Sequence, residues 1–252
     1  MTQEAPSVFL RRAAVRFDGR PVFEGLDLDL PAGRWICLLG ESGVGKSSLL
    51  RLIAGLCAPQ EAQGALSCSD GLPLAGRVAY MGQGDLLAPW ATVLQNVLLG
   101  ARLRGGRSAE RAGQARAREV LARVGLAGRE DALPAQLSGG MRQRVALART
   151  LFEDRPVVLM DEPFSALDAV TRHRLQGLAV ELLHGRTVLM VTHDPLEALR
   201  LADRIEVLAG SPPRLRPLMP PVGRAPRPLD DPALAKQVEA LLSALGAPAA
   251  AA

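Results

Sequence analysis

Eight consecutive residues, Gly40-Glu41-Ser42-Gly43-Val44-Gly45-Lys46-Ser47, follow the spacing G-x-x-x-x-G-K-[ST] in full. The chemistry that this spacing serves is the grip on a polyphosphate. Glycines let the main chain curl until successive N–H groups face phosphate oxygens. A helix opening at Lys46 adds its positive N-terminal end. Lys46 supplies a point charge for the outer phosphates, and Ser47 offers a hydroxyl to Mg²⁺. Glu41, Ser42 and Val44 enter through their backbone, and Ser48 continues the first helical turn. Arginine supplies nearly all the positive charge; the only lysines are Lys46 and Lys236. The scarcity singles out Lys46.

Two further groups belong beside such a cradle. Val157-Val158-Leu159-Met160-Asp161-Glu162 is an apolar run ending in two carboxylates. Asp161 at a strand tip fits Mg²⁺ coordination, and Glu162 is placed to deprotonate an attacking water. The ordinary alternative is a strand capped by solvated acids. His193, in Thr192-His193-Asp194, follows another apolar run, Thr187–Val191. Strands of a parallel sheet send their C-terminal ends to one crevice, which suits His193 to sensing phosphate. His173 and His184 have no such placement and read as surface residues.

The elements that must hold these groups are legible. Leu26, Leu28 and Leu30 alternate with Asp27 and Asp29, the period-2 pattern of a half-buried strand in an antiparallel sheet. Trp35–Leu39, Val157–Met160 and Thr187–Val191 are continuous apolar runs, as in strands covered on both faces. Helical patterns separate them, which implies a parallel sheet with helices on both faces. Residues from about 85 to 155 are rich in Ala, Arg, Leu and Glu and read as an inserted helical subdomain. Within it, Val93, Val97 and Leu98 mark one helix and Glu119–Val124 part of another. The main domain extends over 1–210. From 211 the chain turns to proline, a linker-like segment, then to Leu234, Val238, Leu241, Leu242 and Leu245 at helical spacing, and residues 247–252 should fray.

Composition narrows the class. The chain has 252 residues, 48% hydrophobic and 22% charged, so wholesale disorder and fibrous architectures do not fit. No apolar run reaches the eighteen residues that span a bilayer, and no secretory signal is visible at the N-terminus. The expectation is a protein made in the cytosol that relies on partners for any membrane role. A net charge of +4, spread along the chain, gives no reason to expect nucleic acid as a partner. Three cysteines without a C-x-x-C exclude a disulfide scaffold or zinc ribbon.

Leu137-Ser138-Gly139-Gly140-Met141-Arg142-Gln143-Arg144 opens a further helix, with Ser138 as a plain N-cap. Standing upstream of the Asp-Glu strand, it also resembles the signature motif of ATP-binding cassette (ABC) transporter ATPases. Gln83 is similar to that family's Q-loop glutamine, Ser165-Ala166-Leu167-Asp168 to its D-loop, His193 to its switch histidine, and Phe17 to the aromatic that stacks on adenine. The resemblance covers about residues 8–210. It implies an α/β P-loop NTPase (RecA-like) core with a parallel sheet, an antiparallel β subdomain and an inserted helical subdomain. It also implies two copies joined head to tail around ATP and Mg²⁺. Ser138, Gly139 and Gly140 would bind the γ-phosphate in trans, Asp168 would lie beside that site, Glu162 would act as general base, and Gln83 would complete the shell formed by Ser47 and Asp161.

Long coiled coils, a second cradle and fused membrane helices, which mark other branches of the family, are absent from this sequence. A stand-alone cassette fits an importer's energising subunit, at the cytoplasmic face of the inner membrane. Its partners would be integral membrane permease subunits and, indirectly, an extracytoplasmic solute-binding protein. A soluble ABC ATPase and a cassette of an export or lipid system stay open. Gln83–Val97 resembles the run found in the nitrate/sulfonate/taurine and thiamine-precursor (hydroxymethylpyrimidine) importers. Gly82 and Gly84 around Gln83, and Ala88, depart from that pattern. Leu86, Leu87, Trp90, Val93 and Val97 form the expected apolar groove for a permease helix.

Overall fold

Alternation, continuous apolar runs and helical spacing resolve into nine strands and six α-helices among the described residues. The computed structural model describes residues 4–58, 60–218 and 221–246. In chain order the elements are β1 (Val8–Phe17), β2 (Arg20–Leu30), β3 (Trp35–Leu39), α1 (Lys46–Ile53), β4 (Ala62–Cys68) and β5 (Val78–Met81). There follow α2 (Val93–Arg123), α3 (Gly139–Phe152), β6 (Val157–Asp161), α4 (Ala169–Leu182), β7 (Thr187–Val191), α5 (Pro195–Leu201), β8 (Arg204–Ala209), β9 (Arg214–Pro217) and α6 (Pro232–Gly246). They fall into two compact units, one of residues 1–78, 156–161 and 184–252, the other of 79–155 and 162–183.

The first unit holds two sheets. Asp18-Gly19 joins β1 to β2, both residues at positive φ (49° and 75°), the backbone that a two-residue hairpin turn needs. Register pairs Val8 with Leu30 and Leu10 with Leu28, and these leucines and valine are buried as the alternation predicts. On its other edge β1 pairs with β4, completing the antiparallel order β2-β1-β4. The second sheet runs β6-β7-β3-β8-β9, parallel except for β9. Every residue of β3, β6 and β7 is buried, as strands covered on both faces require.

The proline-rich segment after residue 210 differs from a plain linker. Arg214–Pro217 pairs antiparallel with β8 at the sheet edge, where proline's missing N–H is tolerated. Further on, Arg227 is only 3% exposed. Its guanidinium donates to the carbonyls of Leu199, Ala202, Pro221, Val222 and Gly223, fastening the segment to the end of α5. Leu234 and Leu241 of α6 are buried, as its spacing predicts. The side chain of Leu245 and the tail from residue 247, expected to fray, lie outside the described residues.

The second unit is helical. It contains the insert expected at about 85–155 and also α4. Thr92 opens α2 with a capping box shared with Gln95. A kink at Gly106 (φ 64°, ψ −158°) divides α2 into the two helices that the sequence separates. Val93, Val97, Leu98, Val120 and Leu121 face its core. Among the described residues, no helix is long and apolar enough to cross a membrane.

Candidate functional site

In the first unit the candidate residues gather through strand register. β3 ends at Leu39 and passes into the glycine loop; β7 passes into Thr192-His193; β6 ends on Asp161. Asp161 lies level with Val191, and Val191 level with Leu38. Adjacent strands stand about 4.8 Å apart, so the Asp161 main chain lies roughly 10 Å from Leu38, two residues before Gly40. The glycine loop, His193 and Asp161 thus lie at the C-terminal ends of neighbouring strands of one sheet. Asp161 is 2% exposed, whereas His193 is exposed.

The loop itself needs its glycines. A Cβ on Gly40 would stand 2.4 Å from the Leu208 carbonyl oxygen, and one on Gly45 (φ 108°) 2.7 Å from Val22 Cγ1. Neither position has room for a side chain. Gly45 is also the N-cap of α1 and provides no side-chain cap, so the first N–H groups of the helix keep their capacity for an anion. Lys46, 7% exposed, donates through Nζ to the carbonyls of Gly40 and Glu41, each at 2.8 Å, and so folds across its own loop. Ser47 and Ser48 are half-buried in the first turn. Phe17, half-buried, ends β1 on the hairpin whose Val22 and Phe23 pack against Gly45.

The second unit carries the remaining candidates. Ser138 caps α3, its Oγ accepting from Met141 N at 3.3 Å; Ser138 and Gly139 are exposed. Gly140 sits close to the D-loop, for a Cβ there would stand 3.2 Å from the Ala166 carbonyl oxygen. Asp168 caps α4 by accepting from Thr171 N at 2.9 Å, and that bond lowers its pKa below the usual carboxylate value. Gln83 is exposed. Glu162 is half-buried and adopts φ 49°, the left-handed region. Within the expected docking groove, Leu86 and Trp90 are 64% and 82% exposed. Val93 and Val97 are fully buried; they pack the helical core and do not line a groove.

Residues 23–165 match the family model described as ABC transporter, more than half of the chain. The chain belongs to the ABC transporter family. A Haemophilus influenzae protein described as an uncharacterised ABC transporter ATP-binding protein is 44% identical over 95% of this chain and 98% of its own length. An aliphatic sulfonates import ATP-binding protein of Streptomyces avermitilis is 46% identical over 96% of this chain and 91% of its own. A dimeric ATP-binding cassette solved in a post-hydrolysis state with ADP and phosphate superposes with a TM-score of 0.71. It is 26% identical and covers 86% of this chain and all of that one. This ABC cassette is accordingly an ATP-binding and ATP-hydrolysing protein with the fold that the sequence motifs imply.

Several residues that brace this ABC cassette escape sequence reasoning. Asn96, fully buried, accepts from Ala88 N and donates to the carbonyls of Ala88, Ala91 and Thr92, shaping the turn that exposes Trp90. Arg142 Nε donates to Asp85 Oδ2 at 2.7 Å. Arg149 donates to the carbonyls of Asp85 and Leu86, and its burial lowers its pKa. Gln143 donates to the carbonyls of Glu162 and Pro163. Their partners are mostly main-chain carbonyls, which every residue possesses, so the sequence carries no trace of the pairing. The one available signal is a polar residue on an otherwise apolar helical face.

Proposed function

We propose that this chain is the energising subunit of an importer, working as a head-to-tail pair of copies beneath separate membrane subunits at the cytoplasmic face of the membrane. The observation that carries this reading is the placing of the glycine loop, Asp161 and His193 at the C-terminal ends of neighbouring strands. The loop N–H groups from Gly40 to Ser48 and Lys46 receive the phosphates, while Phe17 stacks on the adenine. Ser138, Gly139 and Gly140 of a second copy bring a helix N-terminus to the γ-phosphate, with Asp168 beside them. Glu162 accepts a proton from water as the water oxygen bonds to the γ-phosphorus. The bond to the β-phosphate bridging oxygen then breaks, leaving ADP and phosphate, and His193 hydrogen-bonds the γ-phosphate. On this reading the Ser47 hydroxyl and Asp161 carboxylate, with the Gln83 amide, would hold Mg²⁺ through oxygen, and the ion would neutralise charge on the phosphates.

The curated relatives named for aliphatic sulfonate import favour import and a small sulfonate-type solute. The exposed Leu86 and Trp90 beside Gln83 supply the surface that a permease helix would cover. The test is reconstitution in vesicles with the permease subunits and an extracytoplasmic solute-binding protein. ATP-dependent accumulation of an alkanesulfonate that requires the binding protein is the expected result. Outward movement of solute, or ATP turnover indifferent to the permease, would overturn the import reading.

A further inference from the structure

Gln143 lies one turn into α3 and is 5% exposed, a buried amide on a helix otherwise packed through Val145, Ala146, Leu147 and Ala148. Its Nε2 donates to the carbonyl oxygens of Glu162 at 3.0 Å and Pro163 at 2.8 Å. Ser165 donates to the same Glu162 carbonyl twice, through N at 3.3 Å and Oγ at 3.1 Å. Glu162 therefore has its carbonyl held by three donors while its φ is +49°, a conformation uncommon for residues other than glycine. Pro163 disfavours helical backbone at the residue before it, which adds to the cost. A conformation of this kind persists only where the surroundings over-determine it.

We infer that Gln143 is a positioning residue for hydrolysis: by gripping the Glu162–Pro163 main chain it sets the direction of the Glu162 carboxylate. The inference rests on the reading of Glu162 as general base. Gln143 stands on the same helix that begins at Ser138, so the element offered to a second copy's γ-phosphate also grips the main chain that carries Glu162 of its own chain. A purely structural role, in which the amide only satisfies two buried carbonyls, makes a different prediction.

The experiment is a double-mutant cycle in single-turnover hydrolysis, with ATP affinity measured in parallel. Gln143→Met keeps length and volume and removes both donors. It should lower the rate on the order of tenfold, the equivalent of one lost hydrogen bond, with ATP affinity within about twofold. In the Glu162→Gln background the same substitution should cost nothing further, because the group it aims is gone. An equal loss in both backgrounds, or a wild-type rate for Gln143→Met, overturns the inference. Should Gln143→Met fail to fold, Ser165→Ala enters the cycle in its place. It should show a smaller loss with the same non-additivity, and additivity there overturns the inference equally. A near-wild-type rate for Glu162→Gln is a separate outcome: it removes the base assignment, and this inference with it.

Discussion

Two glycine-bearing helix starts in this molecule are built in opposite ways. At α1 the loop is closely packed within its own unit: a Cβ on Gly40 would meet the Leu208 carbonyl, one on Gly45 would meet Val22, and Lys46 is buried across its loop. At α3 the start is open. Ser138 and Gly139 are exposed, and the nearest atom to a Cβ on Gly139 is the flexible Arg142 Nη2 at 3.9 Å. The first is the loop that the proposed reading takes as the anion cradle. The second leaves Ser138 and Gly139 open to solvent, where the proposed reading brings a second copy's γ-phosphate. The difference teaches that, on the proposed reading, binding and turnover would rest on different helices of the same protein.

That contrast can be broken most forcefully at Lys46. Lys46→Ala should weaken ATP binding roughly 30- to 3,000-fold, the loss expected when one member of a desolvated charge pair is removed. Calorimetric titration reads it, and near-normal affinity would remove the cradle from the site. Ser138→Arg should do the reverse. ATP affinity of the isolated chain stays within a few-fold, while hydrolysis falls about 10²-fold through loss of γ-phosphate donors. Mixing Lys46→Ala chains with Ser138→Arg chains should restore part of the hydrolysis, since one composite site of the heterodimer is intact. No recovery with heterodimers demonstrated would refute action in trans.

Stability sharpens the same comparison. Gly45→Ala forces a side chain into Val22 at positive φ and should cost about 1–3 kcal/mol. For a chain of this size that lowers Tm by about 2–12 °C. Gly139→Ala meets only an ordinary contact with the flexible Arg142 Nη2, and its stability change should remain within about 0.5 kcal/mol. Equal melting shifts would show that the two starts are not differently packed. The smallest effect on the isolated subunit belongs to Trp90→Ala. At 82% exposure its removal should leave melting and ATP hydrolysis unchanged, yet it should reduce co-purification with permease subunits. Unchanged co-purification would locate docking elsewhere.

The sequence by itself determined the features encoded over a few adjacent residues. The Gly40–Ser47 spacing, the alternation of Leu26, Leu28 and Leu30, and the buried runs of β3, β6 and β7 are all local patterns. Each reappears in the structure as read. Tertiary structure alone decided where pairing is non-local. Along β4 only Cys68 is buried, with no alternation to mark a strand; β1 makes it one. β8 carries Arg204 and Glu206 among its apolar residues, and β9 has a proline, yet both complete the sheet that opens on the glycine loop. Val93 and Val97, expected to line a groove, are fully buried, and packing assigns them to the core. Gln143, Asn96 and Arg227 depend on carbonyl oxygens 4 to 28 residues away in the chain. The physical reason is common to all of them. A backbone acceptor is identical at every position, so which one a buried donor or a neighbouring strand meets is fixed only when the chain has folded.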